Sequence, residues 1–318
     1  VIMPKTMDGC IGLSTQDSMR LYVDDKLLID GWGKDKSADQ ALDFHFEAGR
    51  TYKIRIEFVN DRRGARVIFG YSAGWENFPA AVEAARKADV AILCMGDNEE
   101  TSGENFDRTD LNLPGRQLEL VQAVYATGTP VVLVLQSGRP VTANWENDHL
   151  PAILEAWFPG EQGGTAIAKT LFGDAAPGGR LPITFPRSVG QIPCHYSRRP
   201  GGGKRYVEMD WLPLYPFGYG LTYTTFAYRD MALSRSVIDP QDTVTVSVTV
   251  TNTGKYTGDA VPQLYVRDMF SSVVKPERQL AAFRRLTLAP GESRRVELTI
   301  GPSAAFGPLR PPPSWRNL

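Results

Sequence analysis

The chain has 318 residues, too many for one typical core, and two or three domains are expected. With 35 basic and 36 acidic residues its net charge is −1, so no bulk field favours nucleic acid or an anionic membrane. No apolar stretch approaches the ~20 residues of a membrane-spanning helix. Arg62-Arg63, Arg198-Arg199 and Arg284-Arg285 read as solvated faces. Cys10, Cys94 and Cys194 are far apart and form neither a CxxC pair nor a disulfide framework. Cys94, inside an apolar run, is expected to be a small core residue. The chain has no start Met and no signal peptide; it opens VIMPKT and closes GPLRPPPSWRNL. Both ends read as those of a fragment or as aberrant termini.

Three zones follow in chain order. In the first, SMRLYVDDKLLID (18–30) alternates, turns at Asp24-Asp25 and alternates again, a hairpin signal. FHFEAGRTYKIRIEFV (44–59) reads as a short strand, a turn and a long alternating strand, and ARVIFGY (65–71) as another strand. With no helical period, this zone is expected to be antiparallel β. In the second zone, PAAVEAARKAD (79–89) holds helix formers behind a proline. VAILCMG is an apolar strand, RQLELVQAVYATG (116–128) a helix ending in glycine, VVLVLQSG (131–138) and AILEAWF (152–158) further strands, and GGTAIAKTLFGD (163–174) a helix. Apolar strands alternating with helices predict a parallel sheet covered on both sides. SRRPGGGKRY (197–206) reads as a linker. In the third zone, TVTVSVTVTNTG (243–254), AVPQLYVRD (260–268), RRLTLAPGES (284–293) and RRVELTIG (294–301) repeat strand and turn, as in a small β-sandwich of immunoglobulin or fibronectin type III kind.

The stretch with chemistry in it is GDNEETSGENFDR (96–108), which leaves an apolar strand and gathers Asp97, Glu99, Glu100 and Glu104 within a few residues. In open α/β sheets ligands bind outside the C-terminal ends of the strands, where this loop lies. One reading is an acidic surface loop. The other is a proton donor: like-charged neighbours raise a carboxyl's pKa, and glycoside hydrolysis needs such an acid paired with a second carboxylate.

GENFDRTDLNLPGRQLELVQAV (103–124), PVVLVLQSGRPV (130–141), EAWFPGEQGGTAIAKTLFGDAAPGGRLPITFPRSVGQIP (155–193) and YPFGYGLTYTTF (215–226) closely resemble the C-terminal half of glycoside hydrolase family 3, the β-glucosidases and β-xylosidases. The first zone resembles the latter part of a PA14 domain, which some members carry inside the α/β sandwich domain. The resemblance implies a multidomain fold: a partial antiparallel PA14-like β domain (1–74), an α/β sandwich with a mainly parallel sheet (75–197), a linker (198–214), a fibronectin type III-like β-sandwich (215–301) and an irregular tail (302–318). It also implies a retaining β-glycosidase acting on an oligosaccharide or aryl β-glycoside, in a periplasmic or secreted setting, with no cofactor, metal, nucleic acid or membrane partner. In the family a (β/α)8 barrel supplies the nucleophilic Asp in an SDW-type motif, and the α/β domain supplies the acid/base Glu from a long loop. Aligning GLNxxWExEGxDR of PA14-bearing members on this loop brings Glu100 and Glu104 near the two family carboxylates. Glu100 is the first candidate and Glu104 the second, with Asp97 and Glu99 behind them. Glu104 and Asp107 have the alternative of holding the loop by pairing with Arg108 or a neighbouring basic residue.

No barrel and no SDW motif occur in the chain. Asp210-Trp211 lies in the linker and is not read as the nucleophile. A retaining mechanism needs two carboxylates about 5 Å apart, so this chain alone is expected to be inactive and to need a barrel. The competing reading is a non-catalytic carbohydrate-binding or structural chain. His45, His149 and His195 are isolated and read as structural. Ser137 lacks a nucleophile-elbow context, and GGGK (201–204) lacks that of a P-loop. Asp24-Asp25 is read as a turn rather than a Ca²⁺ site, and Trp32 and Trp75 as core packing rather than sugar platforms. YPFGYGLTY (215–223) is expected to pack the third domain on the second.

Overall fold

The computed structural model describes all residues except 4, 16–17, 34–37, 60–66, 74–77, 200–205, 240, 272–273 and 302–318, and only the backbone of 38, 39 and 73. Trp75, Arg62-Arg63, GGGK and the C-terminal tail therefore lie outside the described residues. Two compact units divide the chain, Val1–Ala88 and Asp89–Leu318.

The first unit is two three-stranded antiparallel sheets. One has the order β4 (Ala38–Phe46), β1 (Met7–Thr15), β6 (Val67–Ala73). The other has the order β3 (Lys26–Asp30), β2 (Met19–Val23), β5 (Ile54–Phe58). Ile11 and Leu13 of β1, Met19, Leu21 and Val23 of β2, Ile29 and Phe46 share one buried core. The hairpin at Asp24-Asp25 is as expected: both residues have positive φ, 50° and 64°, as the twist-matched two-residue turn demands. The Asp24 carboxylate accepts the Lys53 N–H at 2.8 Å and an Arg50 N–H at 2.9 Å, and these partners, the Lys53 amide first, hold its pKa down. Asp25 pairs with Lys53.

The unit departs from expectation at three points. β1, the central strand of its sheet, was not legible, because Gly9, Cys10 and Gly12 dilute its alternation. The strand before the EAGR turn is the long one and the strand after it the short one, and they lie in different sheets. Trp32 is not a core residue either; it is 40 % exposed, with the Arg20 guanidinium 4.7 Å over its ring. The unit closes with α1 (Pro79–Arg86).

The second unit begins with a parallel sheet in the order β7 (Ala91–Gly96), β8 (Val131–Gln136), β9 (Ala152–Glu155). β8 is central, and Val131, Leu133, Val134 and Leu135 are buried. α2 (Gln117–Tyr125) buries Val121 and Val124, and Gly128 beyond its end has φ 82°. A short α3 (Asn144–His149), unread in the sequence, precedes β9, and α4 (Gly163–Leu171) follows it. The expectation of a sheet covered on both faces fails at β7. This edge strand leaves Ile92 44 % exposed and Cys94 exposed, so Cys94 is not a core residue.

The rest of the unit is β-sandwich. β10 (Phe226–Leu233), β11 (Val244–Asn252) and β16 (Ser293–Ile300) form one sheet; β12 (Gly258–Ala260) pairs with β15 (Leu286–Leu288), and β13 (Gln263–Val266) with β14 (Gln279–Phe283). Val250, Ala260, Leu286, Leu288, Val296 and Leu298 make its core. The 215–223 segment does pack sandwich against α/β layer. Phe217 stacks on Tyr196 at 4.2 Å, the Gly218 carbonyl accepts from Gln263 Nε2, and the Tyr223 hydroxyl donates to the Thr170 carbonyl of α4.

Candidate active site

The acidic loop starts where β7 ends, and its start is tightly fixed. Gly96 has φ 145°, and a Cβ there would stand 1.9 Å from the Gln136 carbonyl oxygen, so only glycine fits. Its N–H donates to Gln117 Oε1 (2.7 Å) and its carbonyl accepts from Gln117 Nε2 (2.8 Å). The next residue, Asp97, turns its side chain inward.

Asp97 is 2 % exposed in its side chain and is the hub of the loop. Oδ1 accepts from Arg108 Nη1 (3.1 Å) and the Thr101 hydroxyl (2.9 Å). Oδ2 accepts from the Ser137 hydroxyl at 2.6 Å and faces Arg139 Nε at 3.7 Å. This buried carboxylate is engaged on both oxygens by two guanidiniums and two hydroxyls, which fits it to brace the loop. Arg139 also spans the loop, donating to the carbonyls of Thr101 and Phe106 and to the Ser102 hydroxyl. Arg108 reaches on to Asp110 and the Asn112 carbonyl. For Arg108 the expected pairing with Glu104 and Asp107 is corrected: its partly buried guanidinium folds back onto Asp97.

Within this frame the backbone turns twice. The Asn98 side chain accepts the Glu100 and Thr101 N–H groups, closing an Asx turn that contains Glu99 and Glu100. A second turn, with Phe106 N–H donated to Gly103 and Asn105 at φ 65°, contains Glu104. Glu99, Glu100 and Glu104 are exposed. Of the four carboxylates picked out in sequence, three face solvent and one anchors.

The neighbouring strand ends complete the site. Ser137 is fully buried, donates to Asp97 and accepts the Arg139 N–H, so it serves as a buried strut. After β9, Glu155 Oε1 accepts the Trp157 N–H at 2.9 Å, while the buried Oε2 has no partner among the described residues. Burial pushes the Glu155 carboxyl up to about 7. Arg139 and Glu155 were missed in sequence; the available signals were an Arg just past an apolar strand and a carboxylate inside one.

The remaining candidates do not converge here. His45 bonds Asp8 Oδ1 at 2.6 Å, and His149 stacks on Trp145 and bonds its carbonyl. Asp210 Oδ1 accepts the Leu212 N–H. Trp211 lies under Arg198, 4.1 Å from its guanidinium. No group of three His, Cys, Asp or Glu able to hold a metal occurs among the described residues.

Comparison with known proteins gives this site its context. Residues 13–223 match the glycosyl hydrolase family 3 C-terminal domain, and residues 260–307 a fibronectin type III-like domain. A beta-xylosidase of Formosa agariphila is 48% identical over 79% of this chain and 36% of its own length. The periplasmic beta-glucosidase of Salmonella typhimurium is 46% identical over 69% of this chain and 30% of its own length. The structure of a beta-glucosidase from Kluyveromyces marxianus in complex with glucose superposes with a TM-score of 0.69 at 28% identity, over 96% of this chain and 39% of that one. The chain spans about a third of the length of these curated relatives. It belongs to glycosyl hydrolase family 3, whose C-terminal domain it carries together with a fibronectin type III-like domain.

Proposed function

We propose that this chain is the acid/base-bearing portion of a retaining β-glycosidase that removes terminal β-linked sugars, with Glu100 or Glu104 protonating the leaving oxygen. One observation carries the reading. A loop with three exposed carboxylates is held at the C-terminal edge of a parallel sheet by a buried Asp97–Arg108–Arg139–Ser137 network. Loops that merely solvate a surface do not need so many buried bonds; an acid that must meet a glycosidic oxygen within hydrogen-bond reach does. The nucleophile comes from a (β/α)8 barrel outside this chain, as part of the same polypeptide or as a separate one. Relatives match from 69% to 94% of the chain, a spread that leaves room for a first unit of PA14 type that some family members carry and others lack. The periplasmic relative supports an exported protein, and no helix among the described residues is long and apolar enough to cross a membrane.

The test is Glu100→Gln and Glu104→Gln in the complete enzyme. The acid/base variant loses hydrolysis of glycosides with poor leaving groups, keeps much of it on activated aryl glycosides, and recovers with azide. If both variants keep wild-type rates on poor leaving groups, the assignment fails. The purified chain alone is expected to show no turnover of an aryl β-glucoside; turnover abolished by either variant would mean that a second carboxylate of this chain acts as nucleophile.

A further inference from the structure

The chain after β9 leaves the sheet in an unusual way. Trp157 has φ 52°, in the left-handed region that a bulky side chain rarely adopts. Such a conformation is strained and persists only where surrounding contacts impose it. Here the Ala156 N–H is tied to the Leu135 carbonyl of β8, the Trp157 N–H is tied to Glu155 Oε1, and the Trp157 ring meets Phe185 edge-on at 5.8 Å. The result is seen one residue later. The Phe158 ring, 55 % exposed, lies over Gly138 so closely that a Cβ there would stand 2.8 Å from it and 3.3 Å from the Ser102 hydroxyl of the acidic loop.

We propose that Glu155 is a positioning residue for the acidic loop: through Oε1 it holds the Trp157 amide, and so seats the Phe158 ring against Gly138 beside Ser102. Three successive strand ends are thereby linked, with Glu155 governing the third. Phe158 thus lies beside Ser102, which belongs to the stretch, Thr101 to Phe106, that Arg139 grips from the β8 side. The clamp depends on the carboxyl's protonation. No charged side chain contributes to its raised pKa; burial raises it, and the Trp157 N–H opposes the rise. While Glu155 is protonated, Oε1 remains an uncharged acceptor in an apolar surrounding. Once it ionises, Oε2 becomes an unpaired buried charge. That charge is relieved when the strand end opens locally to water, and the Trp157 amide and the Phe158 ring move with it.

The inference rests on the glycosidase reading only in giving the clamp a purpose, and its test is blind to activity. Amide hydrogen exchange of residues 98–106 is measured on the 318-residue chain at about pH 6 and about pH 8, corrected for intrinsic exchange. Wild type is expected to exchange several-fold faster at the higher pH. Glu155→Gln keeps the acceptor and is expected to retain protection at both values. Glu155→Leu is expected to lose it at both. Phe158→Ala removes an exposed ring, so folding is not at issue; it is expected to speed exchange in 101–104 while the carboxyl's titration, followed by ¹³C NMR, is unchanged. Wild-type exchange in Phe158→Ala, or the same pH dependence in Glu155→Gln as in wild type, overturns the proposal. Either result leaves the Glu100/Glu104 assignment untouched, since that stands on kinetics of the complete enzyme.

Discussion

The Ser137 hydroxyl donates to Asp97 Oδ2 at 2.6 Å, joining the ends of two adjacent parallel strands through side chains rather than backbone. Both groups are almost completely buried. The bond makes the start of the acidic loop a continuation of the sheet, and its removal is the most direct way to loosen the loop.

Asp97→Asn keeps the shape but removes the charge facing Arg108 and Arg139. Arg139 then loses the carboxylate it faces and Arg108 keeps only its ion pair with the more exposed Asp110, at a cost of about 3 kcal/mol. Chemical denaturation is expected to show that loss. In the complete enzyme kcat on glycosides with poor leaving groups is expected to fall, because the acid's position is no longer fixed. Unchanged stability would show that the hub is dispensable.

Gly96→Ala puts a methyl group 1.9 Å from the Gln136 carbonyl oxygen. The strand end must then separate from β8 or from Gln117, at a cost of at least about 3 kcal/mol. A thermal melt matching wild type would show that the local backbone can give way.

Glu155 sets a pH dependence of stability whose sign is fixed. Its folded pKa, about 7, lies above the ordinary value of 4.5. Below pH 4.5 the group is protonated in both states and has no effect. Between 4.5 and 7 the unfolded chain releases the proton first, so stability falls as pH rises, by about 3 kcal/mol in all, and then levels off. Glu155→Gln is therefore expected to be close to wild type at low pH and progressively more stable than it toward neutrality. Parallel stability curves for the two proteins would contradict this.

Gly178 marks the seam between the α/β layer and the β-sandwich. A Cβ there would approach Asp259 to 2.8 Å, where Asp259 pairs with Arg285 and accepts from Thr287. Arg285 and Thr287, with burial opposing them, hold the Asp259 pKa down, Thr287 contributing most. Gly178→Val is expected to force the two layers apart and lower stability by about 1–3 kcal/mol. A single unfolding transition at the wild-type midpoint would show that the seam tolerates the added bulk.

Much of this molecule could be read directly. The Asp24-Asp25 turn, the apolar β7, β8 and β9, the period of α2, and the alternation of β11 and β16 are local patterns, and local patterns survive into the fold. β1 was lost because its inward-facing set begins with a glycine and its middle holds another. The exposure of Cys94 depends on what lies across the face of β7, and no neighbour in sequence reports that. In the candidate site, the loop and its four carboxylates were plain in the sequence, but their separation into one anchor and three exposed groups was not.

By itself the sequence determined the strand and helix alternation, the family resemblance and the place of the acidic loop at a strand's C-terminal end. These depend on residue type and spacing along the chain. The tertiary structure alone decided that Asp97 is an anchor, that Ser137 and Arg139 hold it, and that Glu155 is buried with one oxygen unpartnered. The physical reason is that charge, desolvation and hydrogen bonding act across space. Ser137 lies 40 residues from Asp97 along the chain and 2.6 Å from it in the fold.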